Sequence, residues 1–290
     1  MTRTLGFIGT GAMGEPMCRN LAIKGDETVI AYDFKPSPLK RLAADGVEIA
    51  SGAQEVAERA DILFLSLPGG PEVDSLAEMA LHPAARKGWT VVDMSTTPVG
   101  LTRMLAEGLA KKGTDLIDAP VARTQKAAID GTLSIMVGGS EALFDRVRPY
   151  LERMGTEVSH CGATGCGQIT KIMNNMIVFQ NGVALAEALT IARENGMDGD
   201  RLFEVLSKSS ADSFVLRSHG MGSMLPGDFP EERFPARYAL KDVTYALALA
   251  ADAKVEAYGA KLARAMIEDA VDAGDGEKYW PVILDRVERT

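Results

Sequence analysis

Few folds accommodate the opening segment of this chain. An apolar run from Leu5 to Ile8 passes directly into Gly9-Thr10-Gly11-Ala12-Met13-Gly14, and Glu15, Pro16, Met17 and Leu21 follow in helical spacing up to Gly25. A second apolar run, Val29 to Tyr32, ends on Asp33. Glycines in this spacing between a strand and a helix permit a tight turn and a close backbone approach, so a pyrophosphate can rest on the helix N-terminus. A lone Gly-x-Gly-x-x-Gly is weak evidence, but this one follows a strand, precedes a helix and is followed by an acid at the next strand end. The segment is read as a βαβ dinucleotide-binding unit in which residues 9 to 14 meet the cofactor. Asp33 would accept hydrogen bonds from the adenosine ribose and repel a 2′-phosphate, which favours NAD, whereas neighbouring Lys35 leaves NADP open. A solvated strand end is the plainer alternative for Asp33.

The alternation then repeats. Val47 to Ala50 precedes Gln54 to Arg59, Ile62 to Leu67 precedes Glu72 to Ala80, and Val91 to Ser95 precedes Pro98 to Lys112. Strands alternating with helices predict a parallel sheet covered on both faces, with ligands at the carboxyl ends of its strands. Leu65, Ser66, Leu67 and Pro68 should therefore border the cofactor, as should Ser95, Thr96 and Thr97. Thr96 either faces the nicotinamide ribose or caps the helix that follows. Asp115 to Asp118 is a further strand leading into Ala119-Pro120-Val121-Ala122-Arg123-Thr124; Leu133 to Val137 and Val158 to Cys161 complete the sheet, with a helix from Glu141 to Arg153 between them. Arg123 falls in a loop on the ligand side, and its fork of donors suits an anionic group; a solvated surface arginine is the alternative.

Glycines 162, 165 and 167 next break the chain ahead of a helix from Gln168 to Glu194, closed by Asn195-Gly196. At ~1.5 Å per residue it is about 40 Å long, enough to join two domains. Apolar residues on every side (Ile169, Ile172, Met176, Ile177, Phe179, Val183, Leu185, Leu189) predict a buried helix. Lys171 and Asn175 are four apart and share a face with Asn174 beside them, so an ammonium and two amides converge. Desolvation there would lower the lysine pKa and permit proton exchange near neutral pH; alternatively, Lys171 sits in an exposed first turn. Beyond Gly196 the pattern is entirely helical, over 199–208, 238–253, 256–272 and 279–289, with a Gly- and Pro-rich loop from Gly220 to Pro235. Lys241-Asp242 opens one of these helices, where a lysine opposes the helix dipole; this marks either a functional role or a surface ion pair. The expected organisation is a Rossmann-type α/β domain, doubly wound with a mainly parallel sheet (residues 1–163), an interdomain helix (164–195) and an all-α C-terminal domain (196–290).

The net charge of −9 and the lack of basic runs argue against nucleic acid. Asn174, Asn175, Gln180, Asn181 and Glu187 make membrane insertion of the long helix costly. With no charged-then-apolar leader at Met1, a soluble cytoplasmic protein is expected. Cys18, Cys161 and Cys166 lack metal-ligand spacing and are expected to be buried thiols, although the last two flank the glycine turn and could form a redox-sensitive pair. No metal site is expected, and the three histidines are assigned no chemistry.

Together these residues resemble the β-hydroxyacid dehydrogenase family, typified by 3-hydroxyisobutyrate dehydrogenases, across essentially the whole chain. The resemblance rests on residues 7–17 with Asn20 and Leu21, on Asp118-Ala119-Pro120-Val121, on Gly131-Thr132-Leu133, on Gly162, Gly165 and Gly167 with Lys171 and Asn175, and on Lys241-Asp242. It implies that Lys171 is the general acid/base, that Asn175 orients it, that Asn174 lies near the substrate, and that Thr96 and Lys241 contact the cofactor. It also implies a helical C-terminal domain that assembles into a homodimer or homotetramer. Family members commonly continue Pro-Val with Ser-Gly-Gly to hold the substrate carboxylate; Ala122, Arg123 and Thr124 stand there instead. That departure resembles the branch reducing sulfolactaldehyde and succinic semialdehyde, where an arginine grips a larger anion. The expected activity is hydride transfer between NAD and a short 3-hydroxy acid or its semialdehyde, with reduction of a larger anionic semialdehyde as the alternative. A non-catalytic dinucleotide-binding module is a third reading, which the presence of Lys171 disfavours.

Overall fold

The computed structural model describes residues 3–231 and 233–288; Arg289, the expected end of the last helix, and the outermost residues of the expected domains lie outside them. The chain divides into two compact units, residues 1–171 and 172–290. The first unit contains strands β1 (Thr4–Ile8), β2 (Thr28–Tyr32), β3 (Glu48–Ile49), β4 (Ile62–Leu65), β5 (Thr90–Asp93), β6 (Asp115–Asp118), β7 (Val121–Ala122), β8 (Leu133–Gly138) and β9 (Gly155–Gly162). The first six are parallel in the order β3-β2-β1-β4-β5-β6; β8 then joins β6 antiparallel, with β7 antiparallel and β9 parallel to it. Helices α1 (Gly14–Ile23), α2 (Pro36–Ala44), α3 (Ala53–Arg59), α4 (Gly70–Leu76), α5 (His82–Ala84), α6 (Val99–Ala110), α7 (Gln125–Asp130) and α8 (Glu141–Leu151) accompany the sheet.

Successive strand residues point to opposite faces, and both faces are buried. Phe7, Phe64, Val92 and Ile117 pack with Met17 and Leu21 of α1 and Val147 and Tyr150 of α8. Ile30, Leu63, Leu65, Val91 and Leu116 pack on the other side with Val56, Val73, Leu105 and Leu109. This two-sided burial explains why the strands read as unbroken apolar runs.

Helix α9 (Cys166–Glu194) crosses the division between the units, its first turns belonging to the first and the rest to the second. The second unit is helical: α10 (Gly199–Leu206), a wide-turned helix Leu216–Met224, α11 (Ala236–Asp252), α12 (Tyr258–Ala270) and a final short helix α13 (Leu284–Val287). Its core gathers Phe179, Val183 and Leu189 of α9 with Phe203, Leu216, Val243, Ile267 and Trp280. A methyl group at Gly182 would lie 2.4 Å from the Trp280 ring, so glycine lets that indole press against α9.

Several expectations are corrected. Helix α9 is not buried all round: Phe179, Val183, Ala186 and Leu189 are enclosed, whereas Ile177 is 54% and Ile191 63% exposed. Its apolar composition covers one face turned to its own core and another that no part of the described chain covers. The expected loop from Gly220 is helical as far as Met224, because Gly220 gives room to the Phe203 ring, 3.0 Å from where a methyl group would stand. Cys161 and Cys166 are half-buried and only Cys18 is enclosed; all three thiols are free.

Candidate active site

The glycine loop leaves the carboxyl end of β1. Gly9 adopts φ +93, and a methyl group there would stand 2.3 Å from the Ser66 carbonyl oxygen. A methyl group at Gly14 would meet the Gly9 carbonyl oxygen at 1.9 Å. Both glycines are thus demanded by the protein's own packing. Gly11 differs: no atom lies within 4 Å of the methyl position, and both it and Ala12 are exposed. Open space beside Gly11, and a helix α1 whose first N–H groups no side chain caps, fit a dinucleotide pyrophosphate. Asp33 stands immediately after β2, where its Oδ2 accepts the Thr10 N–H at 2.6 Å and its Oδ1 the Lys35 N–H at 2.8 Å. At the ends of the adjoining strands, the Ser66 N–H donates to the Ile8 carbonyl at 2.9 Å and the Leu67 N–H to Ser95 Oγ at 2.9 Å. Pro68 is exposed beyond them and Thr96 is half-buried. The residue capping α6 is Pro98, so the capping alternative for Thr96 is not what the structure contains.

The same sheet edge holds the start of α9. Asp118, at the carboxyl end of β6, is fully buried and accepts the N–H groups of Gly165 at 2.7 Å and Gln168 at 2.8 Å. Burial pushes its carboxyl up to about 6, against the opposing pull of those N–H bonds. The Gln168 amide donates to the Ser95 carbonyl at 2.9 Å and accepts the Thr97 N–H at 3.0 Å, while the Thr97 hydroxyl donates to Asp93 at 2.7 Å. Two glycines allow the close fit. A methyl group at Gly167 would lie 2.3 Å from the Met136 carbonyl oxygen, and one at Gly138 would lie 2.6 Å from the Gly167 nitrogen. Lys171 follows one turn later, half-buried.

Further along α9, the side chains form a relay. The Asn174 amide donates to Asn175 Oδ1 at 3.0 Å, and the Asn175 amide donates to Asp242 Oδ2 at 2.6 Å. The buried Asp242 also pairs through Oδ1 with Lys241 Nζ at 2.7 Å. Asn175 is therefore held at both ends of its amide. Lys241 lies in the second turn of α11 rather than its first, because that helix begins at Ala236; its ammonium also stands 4.8 Å from the Tyr245 ring centroid. The ion pair is present but not at the surface as that alternative expected, since Asp242 is buried, and Asp242 makes it part of the asparagine relay.

Arg123 follows β7 at φ +84, a left-handed conformation uncommon for a residue with a side chain. Its guanidinium donates to the Thr132 carbonyl at 2.6 Å and to Thr156 Oγ1 at 3.3 Å. Ala122 lies in β7 and Thr124 caps α7, its hydroxyl accepting the Ala127 N–H. Asp93, Asp118, Gln168 and Asp242 were not among the site residues expected from sequence, and Thr97, expected to border the cofactor, bonds instead to Asp93 and Gln168. An acid at a strand end facing glycines in a later strand and a helix start is the signal that could have indicated Asp118.

Residues 4–162 match the family described as the NAD binding domain of 6-phosphogluconate dehydrogenase, and residues 165–279 match that described as NAD-binding of NADP-dependent 3-hydroxyisobutyrate dehydrogenase. The chain belongs to the β-hydroxyacid dehydrogenase family. As a β-hydroxyacid dehydrogenase it is a nicotinamide-dependent oxidoreductase acting on CH–OH groups. Among its relatives, 2-(hydroxymethyl)glutarate dehydrogenase of Eubacterium barkeri is 37% identical over 227 residues, 78% of this chain and 75% of that one. The 2-hydroxy-3-oxopropionate reductase of Escherichia coli K12 is 40% identical over 219 residues, 74% of each chain. The solved structure of Mycobacterium tuberculosis 3-hydroxyisobutyrate dehydrogenase with L-serine superposes with a TM-score of 0.89, at 30% identity and covering 99% of both chains.

Proposed function

We propose that this β-hydroxyacid dehydrogenase is NAD-dependent, that it interconverts a short 3-hydroxy acid of the 3-hydroxyisobutyrate kind and its semialdehyde, and that Lys171 is its general acid/base. One observation carries the reading: Asp118 seats the first turn of α9 at the carboxyl edge of the sheet that bears the glycine loop, and Lys171 follows within one turn. When bound, the nicotinamide supplies the hydride acceptor or donor. In oxidation the neutral Lys171 amine takes the substrate hydroxyl proton; in reduction the ammonium returns it to the nascent alkoxide. Asn175, held by Asn174 and Asp242, would orient the lysine one helical turn away along α9, and within the first unit residues 122–124 would hold the acid group. Residues 9–14, 65–68 and Thr96 of the first unit would line the cofactor. The charge on Asp33, stitched to the glycine loop, supports NAD over NADP.

A second reading is turnover of a larger anion. It is favoured by Arg123, whose left-handed backbone costs about 1 kcal/mol or more where glycine would cost nothing. A relative acting on 2-(hydroxymethyl)glutarate, which carries a second carboxylate, points the same way. Against it, the guanidinium already holds Thr132 and Thr156.

A soluble cytoplasmic location is part of the same proposal. Although α9 is long and apolar enough to span a membrane, Ile172, Phe179, Val183 and Leu189 are buried by the chain itself. Ile177, Ala184 and Ile191, exposed at seven-residue intervals along α9, support assembly with a further copy as a dimer or tetramer.

The deciding experiment measures kcat/KM with NAD and NADP in parallel for 3-hydroxyisobutyrate, serine, glycerate, 4-hydroxybutyrate, dihydroxypropanesulfonate and 2-(hydroxymethyl)glutarate. Preference for 3-hydroxyisobutyrate with NAD supports the first reading. Preference for a substrate bearing a sulfonate or second carboxylate, lost in Arg123→Ala, supports the second, and no NADH formation with any of them would remove both.

A further inference from the structure

The first crossover links several charged side chains to the segment that bears the glycine loop. Asp33 occupies the end of β2, its two carboxylate oxygens fixed by the N–H groups of Thr10 and Lys35. Helix α2 then starts at Pro36 and carries Ser37 and Arg41 one turn apart. The Arg41 guanidinium donates from Nη1 to Ser37 Oγ at 2.9 Å, which keeps it over the first turn of α2. Its other face is turned back onto α1. Nε donates to Glu15 Oε1 at 2.6 Å and Nη2 to Glu15 Oε2 at 2.7 Å, a two-pronged pairing of a planar fork with a carboxylate.

The two partners differ in exposure. The Glu15 side chain is only 15% exposed, whereas that of Arg41 is 54% exposed. The carboxylate is the fixed partner, and the arginine is the one that could swing to a ligand. Arg19 also approaches Glu15, at 3.6 Å, but its nearer partner is Asp45 at 2.6 Å, so Arg41 is the guanidinium that Glu15 principally holds. A guanidinium fork is the side chain best shaped to receive a phosphate in two parallel hydrogen bonds. Here that fork is anchored in the first turn of α2, on the crossover that leaves the strand end where the ribose 2′-oxygen is expected, and it is satisfied by protein.

We propose that Glu15 withholds Arg41 from the adenosine ribose and so determines, together with Asp33, that the enzyme discriminates against a 2′-phosphorylated dinucleotide. The inference rests on the NAD reading above and adds a second element to it. Asp33 repels the phosphate, while Glu15 removes the cation that would otherwise receive it. Replacing Asp33 alone then leaves the phosphate only the exposed Lys35 as a cation, and full conversion requires freeing the Arg41 fork as well. A different role for Glu15, complementing the α1 dipole next to the pyrophosphate, would affect both dinucleotides alike. The ratio of the two affinities separates these roles, since NAD and NADP share the pyrophosphate.

The test is calorimetric titration of the purified enzyme with NADH and NADPH, a readout that needs no turnover, on wild type, Glu15→Gln, Asp33→Ser with Glu15→Gln, and Glu15→Gln with Arg41→Ala. Glu15→Gln is expected to shift the Kd ratio toward NADPH by about tenfold, the scale of one hydrogen bond to a charged group. Adding Asp33→Ser should enlarge the shift, and adding Arg41→Ala should abolish it. An unchanged ratio in Glu15→Gln, or a gain that survives loss of Arg41, overturns the proposal while leaving the NAD reading intact. A wild type that binds NADPH more tightly than NADH overturns both.

Discussion

Asp118 fixes the start of the helix that carries Lys171. Its two oxygens accept two N–H groups at the start of α9, one each. Asparagine offers only one acceptor and would set an N–H group against another donor, so Asp118→Asn should misplace the turn that delivers Lys171. The expected outcome is a fall in kcat of about tenfold or more, since small misplacements of catalytic groups are costly. The Kd for NADH should stay near that of wild type because the glycine loop is untouched; steady-state kinetics with a cofactor titration checks both. That Lys171 and Asn175 share one long helix four residues apart was legible in the sequence, whereas their proposed roles come from the family resemblance. Asp118 was not legible, since its partners lie 47 and 50 residues away and a strand-end acid ordinarily faces water. Arg123 was legible as a departure from the family pattern, but its bonds to Thr132 and Thr156 depend on strand pairing that spacing does not reveal.

Among the elements, α9 carries the most consequence. Its first turn fits the sheet only because residues 138 and 167 lack side chains. Gly167→Ala should lower unfolding stability by about 1–3 kcal/mol, the usual cost of overpacking, and reduce turnover with it; denaturant unfolding alongside kinetics would show this. The exposed apolar stripe on the same helix leads to a separate expectation. Replacing Ile177 and Ile191 together by glutamate should shift sedimentation from an assembled form to a monomer, and an unchanged sedimentation coefficient would exclude that stripe from the interface. The sheet strands were legible because both of their faces are buried. Helix α2 opens on Pro36 with Pro38 two residues on, and proline is well tolerated in a first turn, where its missing N–H has no partner to lose. The exposed face of α9 could not be distinguished from its buried one by composition, because both are apolar.

At the scale of the whole molecule, the two units should respond to acid in opposite senses. In the first, burial raises the Asp118 carboxyl to about 6, so between about pH 4 and pH 6 the folded form holds a proton that the unfolded form has released, and stability falls as pH rises. In the second, His219 is buried against Tyr279 with Arg233 nearby, and burial lowers it to about 4. Over about pH 4 to 6.5 the unfolded form binds the extra proton, so this contribution rises with pH. Each amounts to roughly 3 kcal/mol at most. Unfolding by urea from pH 4 to 7 should show His219→Asn losing the rising component and Asp118→Asn losing the falling one; variants that keep the wild-type slopes would contradict these assignments.

The central claim is that the Lys171 amine moves the proton of the reaction. Its most direct test compares Lys171→Ala with wild type for NADH formation under saturating hydroxy acid, with NADH affinity titrated in parallel. The account predicts a rate loss of about a thousandfold, within the range for removal of a general acid/base, with cofactor affinity retained. A variant that keeps more than about a tenth of the wild-type rate would contradict it.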